Sequence, residues 1–246
     1  MNKRLDLILA EKGLAKSRTA AQALIKEGSV TVNGKTAAKP SEIYDDVLDV
    51  FAVANDSALT RYVGRGGLKL ETAVKHFGTD LAGAVCLDIG ASTGGFTDCM
   101  LQNGAARVYA VDVGTSQLDD KLRADSRVIS LEKLDIRYAD SSHIPEKVDF
   151  ISVDVSFISL RQILPVIGRF AAENARCTAL IKPQFELGKK RIGKSGVVTD
   201  PKLREKVKAE IAAFAESLGF DVKGVIPSGI AGGDGNIEYL MYFIIP

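Results

Sequence analysis

The stretch Leu87-Asp-Ile-Gly-Ala-Ser-Thr-Gly-Gly-Phe96 decides the fold. It stands between a short apolar strand, Ala84 to Asp88, and a helix expected from Gly94 to Gln102. Its glycines fall at 90, 94 and 95, giving G-x-x-x-G-G. A dinucleotide-binding turn needs its second glycine two positions after the first, so that backbone can approach a pyrophosphate. Ser92 holds that position here, which points to a ligand without pyrophosphate. Asp112 ends the next expected strand, Ala106 to Val111, where a carboxylate can accept from ribose hydroxyls. Asp135, after a third strand at 128–131, is expected to approach an adenine.

The alternation continues outward. Strands are expected at 148–153, 178–181, 220–226 and 237–245. A helix over 158–170 should kink at Pro165, and Asp200-Pro201 should open another that runs to Leu218. Strand–helix alternation of this kind gives an α/β, Rossmann-like domain: a parallel sheet with helices on both faces. Its ligands sit at the carboxyl ends of the strands.

The N-terminal part reads differently. Leu5, Ile8 and Leu9 make an apolar stripe that stops at Gly13. Ser17 should cap a second helix carrying Ala21, Leu24 and Ile25, which Gly28 closes. Ser29-Val-Thr-Val then leads to the hairpin signal Asn33-Gly34, and 47–53 alternates again. This helix–helix–hairpin suggests a small α+β unit over residues 1–60. Tyr62-Val-Gly-Arg-Gly-Gly67 reads as part of a basic, flexible linker at 61–67, with a second domain at 68–246 opening on a helix to Phe77.

The chain has 246 residues and a net charge of only +1, but the charge is unevenly spread. Residues 1–40 carry a net of +5, 41–60 a net of −5, and 182–194 a net of +4. Two separate basic regions suggest local binding of a polyanion. Candidate contacts are Lys3, Arg4, Lys16, Ser17, Arg18, Lys26, Lys35, Arg65, Lys189, Lys190 and Arg191. No run of about 18 apolar residues is present, so no membrane-spanning helix is expected. No secretory signal is evident, and Cys86, Cys99 and Cys177 are odd in number without a CxxC, so a reducing cytoplasm is expected. Neither His76 nor His143 has partners at metal spacing, and no metal is expected.

Four charged residues mark the elements around the expected cleft: Lys69, Asp154, Lys182 and Glu238. After the fourth strand stands Asp154-Val-Ser-Phe-Ile-Ser-Leu, without the N/D-P-P-Y/F of exocyclic-nitrogen methylation. The cysteines are expected in packed elements, which disfavours a thiol nucleophile. An oxygen acceptor remains.

The D-x-G-x-x-x-G loop resembles motif I of the S-adenosylmethionine-dependent methyltransferases. That resemblance places Asp88, Gly90, Ser92, Gly94, Phe96, Asp112 and Asp135 around S-adenosyl-L-methionine, with Asp88 ordering the loop or meeting the ligand's ammonium; Phe157 is expected to pack against the cofactor or the target nucleotide. The N-terminal unit, with AKSRTAAQALIKEGSVTVNGK, resembles the S4 RNA-binding domain. Lys69, Asp154, Lys182 and Glu238 match in order and context the K-D-K-E tetrad of FtsJ-type ribose 2′-O-methyltransferases. With RGGLKL, LDIGASTGGFTD, DVSFISL, KPQFE and GNIEY, the chain is similar to the TlyA (hemolysin A) family. The resemblance implies 2′-O-methylation of a ribosomal RNA cytidine, with ribosomal RNA or a subunit as partner; the sequence leaves the oligomeric state open, with a monomer expected. The chain has almost no arm before its first helix and no tail after Pro246, as in family members linked to the large-subunit RNA alone.

In this reading Lys182 is the base that takes the hydroxyl proton. Lys69 and desolvation would lower its pKa from about 10.4, while Asp154 and Glu238 would raise it. A different Rossmann-type enzyme and a membrane-active hemolysin are the alternatives. Binding of S-adenosylmethionine rather than NAD separates the first, and vesicle leakage tests the second.

Overall fold

A computed structural model describes residues 1–53, 61–188, 196–232 and 235–246. Lys189, Lys190 and Arg191 lie outside these residues. The chain divides into two compact units, Met1–Arg61 and Tyr62–Pro246.

The first unit runs β1 (Asn2–Arg4), α1 (Leu5–Glu11), α2 (Arg18–Glu27), β2 (Val30–Val32), β3 (Lys35–Thr36), β4 (Ile43–Asp45) and β5 (Phe51–Val53). Leu5, Leu9, Ala21, Leu24, Ile25, Val30 and Val32 form its core. Ser17 caps α2 by accepting from the Ala20 amide at 3.1 Å, and Gly28 closes it at φ 82°. Asn33 and Gly34 both take positive φ in the β2–β3 turn, as such a hairpin requires. The alternation at 47–53 gives a strand only at Phe51–Val53; Val47, Leu48 and Val50 are exposed. Asp45 holds that turn by accepting from the amides of Val47 and Leu48.

The second unit contains α3 (Gly66–Phe77), β6 (Val85–Ile89), α4 (Gly95–Gln102), β7 (Arg107–Asp112), α5 (Asp120–Arg123), β8 (Val128–Glu132) and β9 (Val148–Val153). It continues with α6 (Leu164–Ile167), β10 (Ala171–Ile181), α7 (Pro183–Glu186), α8 (Pro201–Ser217), β11 (Asp221–Pro227) and β12 (Tyr239–Ile245). The seven strands are ordered β11-β12-β10-β9-β6-β7-β8. Strands β8, β7, β6, β9 and β10 are parallel, but β12 runs antiparallel to both β10 and β11. The sheet is therefore mixed rather than parallel throughout, because the last two strands, consecutive in the chain, pair antiparallel. One consequence shapes the site: the start of β12 lies at the same sheet edge as the carboxyl ends of the parallel strands.

Two other expectations are corrected. Residues 62–67 are packed rather than a flexible linker. Tyr62 is buried in the core with Leu70 and Met100, and the Val63 amide donates to Asp98 Oδ2 at 2.8 Å. A side chain on Gly67 would collide with Tyr62, and one on Gly95 would lie 2.9 Å from the Gly67 nitrogen. These glycines let the start of α3 press against the start of α4. The helix expected over 158–170 is instead a 3₁₀ turn at Leu160–Gln162 followed by the four-residue α6. Pro165 stands in the first turn of α6, where its missing amide is not needed, so it begins a helix rather than kinking one.

Candidate active site

The loops after β6, β7, β8 and β9 enclose a cavity of about 330 Å³ at the carboxyl edge of the sheet. That lies within the range of small-molecule sites, about 300–1,000 Å³. Gly90, Ser92, Asp112, Asp135, Asp154 and Phe157 line it. Asp112 accepts from the Ser92 amide at 2.8 Å and the Gly114 amide at 2.7 Å. One carboxylate thus ties the loops after β6 and β7 together while facing the cavity. Asp135 is gripped by Arg137 and caps the 3₁₀ turn Ile136–Tyr138, and that guanidinium holds its carboxyl below the ordinary range. Val113, Leu134, Ile136 and Ile158 supply an apolar wall. A carboxylate at the end of β7 beside an apolar slot fits a nucleoside: hydroxyls on the acid, base in the slot. A smaller cavity of about 130 Å³ shares Gly90, Ser92 and Asp154 and adds Gly66, Thr93, Gly95 and Phe96.

Three residues of the glycine loop are fixed by their protein neighbours. Asp88 is fully buried and absent from the lining of either cavity. It accepts from Thr97 Oγ1 at 2.6 Å and Ser152 Oγ at 2.8 Å, and burial pushes its carboxyl up to about 6. Its place is beneath the loop, and direct contact with a ligand is not what this geometry offers. Gly90 has φ 86°, and a side chain there would strike the Asp154 carbonyl oxygen. The close neighbour that demands glycine is thus the end of β9. Gly94, at φ 94°, faces Leu118 and Leu122 rather than either cavity.

The four tetrad residues converge as two ion pairs. Lys69 Nζ lies 2.5 Å from Glu238 Oε2, and Lys182 Nζ lies 2.6 Å from Asp154 Oδ1. Lys69 comes from α3, Asp154 from the end of β9, Lys182 from the end of β10 and Glu238 from the residue before β12. Lys69, Lys182 and Glu238 are buried, so neither cation is left without a counter-charge in a poorly solvated place. Gln184 Nε2 also reaches Glu238 Oε1, at 3.4 Å. Phe157 is 91% exposed at φ 64° and packs against Phe185, with ring centroids 5.0 Å apart. Ser159 Oγ and the Leu160 amide donate to Glu186, joining the loops after β9 and β10 a second time. Burial of Cys86 and Cys99 pushes their thiols up to about 12, which suits packed core and not a nucleophile.

The expected cations of the first unit are partly occupied. Asp6 is fully buried and accepts from Arg4 Nε and Nη2, from Arg18 Nε at 3.0 Å and from Gln22 Nε2 at 2.7 Å. The Arg4 guanidinium, helped by Gln22 and Arg18, holds its carboxyl well below the ordinary range. Lys3 is paired with Glu11 at 2.7 Å and Asp46 at 2.9 Å. Lys16, Ser17, Lys26, Lys35 and, in the second unit, Arg65 are exposed. Sequence reasoning missed Asp6, Ser152, Ser156 and Gln184. For Asp6 the signal was present as an acid on an otherwise apolar helix stripe.

Among the described residues no helix is long and apolar enough to cross a membrane, and no His/Cys/Asp/Glu group is arranged to hold a metal. Comparison with known proteins gives a family described as FtsJ-like methyltransferase over residues 62–244 and an S4 domain over residues 3–46. The 16S/23S rRNA (cytidine-2′-O)-methyltransferase TlyA of Mycobacterium tuberculosis is 42% identical over 97% of this chain and 88% of its own length. The 23S rRNA (cytidine-2′-O)-methyltransferase TlyA of Campylobacter jejuni is 34% identical over 98% of this chain and 99% of its own. A solved Streptococcus thermophilus structure with a provisional hemolysin name is 44% identical, with a TM-score of 0.77 over 99% of this chain and 88% of that one.

Proposed function

This chain belongs to the FtsJ-like methyltransferase family, in the S4-bearing group named TlyA, and on that footing we propose that it methylates the 2′-hydroxyl of a cytidine in ribosomal RNA. The observation that carries this reading is the two ion pairs, Lys182–Asp154 and Lys69–Glu238, beside a cavity that Asp154 itself lines. A ribose hydroxyl is a weak nucleophile and needs a base held beside it.

Bound in the cavity, S-adenosylmethionine supplies a methyl group activated by sulfonium and is released as the thioether. Asp112 would take its ribose hydroxyls, the wall of Val113, Leu134 and Ile136 its adenine, and the Gly90–Ser92 backbone its amino-acid end. Lys182 Nζ, as free amine, accepts the 2′-hydroxyl proton while that oxygen attacks. Asp154 orients Nζ, and Glu238 and Lys69 hold the acceptor side of the cleft. Phe157 offers an exposed ring at the rim, suited to stacking.

The first unit supplies register through phosphate contacts, which carry no sequence information of their own but fix orientation. Lys16, Lys26 and Lys35 are among its exposed cations, with Arg4 and Arg18 presented from the Asp6 cluster; Arg65 extends the set in the second unit. Lys189, Lys190 and Arg191 complete the set by sequence. We place the target in the large-subunit RNA, since 23S is common to the names of both relatives, and the reaction in the cytoplasm.

The test is methylation of separate ribosomal subunits from a strain lacking the gene, with labelled S-adenosylmethionine, followed by mapping of alkali-resistant ribose positions. Label on a single large-subunit cytidine ribose is expected. Label on a base, or none on either subunit, would overturn the proposal.

A further inference from the structure

Lys182 Nζ has a second partner that lies outside the four-residue tetrad. It donates to Ser156 Oγ at 2.9 Å, while Asp154 Oδ1 stands 2.6 Å away. Ser156 follows Asp154 by two residues in the loop after β9 and lines the larger cavity. Its direction is set from both sides. The Asp154 amide donates to the Ile89 carbonyl at 2.9 Å, and Phe157 turns the backbone to φ 64° immediately afterwards.

We propose that Ser156 is a positioning residue that aims the Lys182 amine at the acceptor hydroxyl. The inference rests on the reading of Lys182 as base. A neutral amine has two N–H groups and one lone pair, arranged tetrahedrally about nitrogen. Ser156 Oγ takes one N–H group, and the Asp154 carboxylate, an ion-pair partner at 2.6 Å whose Oδ1 makes no hydrogen bond among the described residues, disfavours a lone pair turned toward it, so the lone pair is left in the remaining direction. Without the serine oxygen the amine can rotate about its Cε–Nζ bond, and the lone pair is spread over positions of which one faces the substrate.

One effect follows for Ser156→Ala at saturating cofactor. kcat falls about threefold to tenfold, the scale of one neutral hydrogen bond, with little change in KM for RNA or in cofactor affinity. A merely structural loss would raise KM or weaken cofactor binding along with the rate. Ser156→Thr keeps the hydroxyl and restores most of kcat. Wild-type kcat in Ser156→Ala overturns the inference, as does a threonine variant as slow as the alanine one. Lys182→Ala is the control that separates the two claims. If it abolishes transfer while Ser156→Ala is silent, only the positioning role fails; if it retains near-normal turnover, the base assignment fails and this inference with it.

Discussion

Tyr239 at the start of β12 pairs with Ile181 at the end of β10, which sets Glu238 beside Lys182 although 56 residues separate them. The pairing is antiparallel, so one strand's entrance meets the other's exit. With the parallel β9–β10 pairing that brings Asp154 to the same place and α3 that supplies Lys69, this register gathers four charges scattered along the chain into two ion pairs at one edge of the sheet. It also explains why Lys69 matters. Its partner Glu238 is buried at the end of an apolar strand and has no other cation bonded to it among the described residues.

Lys69→Ala should therefore lower stability as well as turnover. Removing one member of a buried pair leaves the other charge uncompensated, at a cost of about 3–5 kcal/mol. Denaturant unfolding of Lys69→Ala beside Lys69→Met/Glu238→Leu checks this. The double variant should regain most of the stability and none of the activity. Equal stability of Lys69→Ala and wild type would show that Glu238 is solvated or otherwise paired.

Asp88 makes stability depend on pH in an unusual direction. Burial raises its folded-state pKa to about 6, above the unfolded value of about 4. The penalty is absent below pH 4, grows between pH 4 and 6, and is complete above pH 6, where it amounts to about 3 kcal/mol. Asp88→Asn should remove this slope, since Ser152 can donate to the Leu87 carbonyl and accept from the new amide. The measurement is the difference between variant and wild-type unfolding free energies across pH 4–8, which cancels the other carboxylates.

Asp112→Ala should weaken S-adenosylmethionine binding by about tenfold or more. The change removes the acceptor facing the cavity and frees the Ser92 and Gly114 amides that shape it. Calorimetry on the folded variant gives the affinity, and an unchanged value would displace the ribose site from this carboxylate.

Gly90→Val should be worse than a simple obstruction of the ligand. At φ 86° a β-branched residue is strained, and its side chain meets the Asp154 carbonyl. Cofactor affinity and methyl transfer should fall together, with a loss of stability of about 1–3 kcal/mol. Circular dichroism melts beside cofactor titration would reveal whether stability stays intact, which would place the steric conflict in the ligand instead.

Lys26→Glu and Lys35→Glu should reduce ribosomal-subunit affinity and lower the salt dependence of binding by about one counterion each, with cofactor affinity untouched. Charge reversal at Arg18 is a poorer probe than the sequence suggests, because it also opens the Asp6 cluster. A filter-binding salt titration compares the three. If the two lysine variants keep the wild-type slope, the phosphate-binding face lies elsewhere.

What the amino-acid order determined by itself is whatever depends on near neighbours. The G-x-x-x-G-G loop, the Ser17 cap, the Asn33-Gly34 turn and the Asp200 cap are set by residues a few positions apart, and each has a local physical signature. Lys182 was legible as a charge directly after the strand expected at 178–181 and before Pro183. Tertiary structure decided the rest. Only packing shows that the glycines at 64–67 are places of close approach, since flexibility and contact demand the same residue. Only the side chains in the folded unit show that Glu238 pairs with Lys69 of α3 and Asp154 with Lys182, because four charges permit more than one pairing. The turned-in arginines at Asp6 and the serine beside Lys182 follow from side-chain direction, which sequence spacing leaves open until the backbone on both sides is fixed.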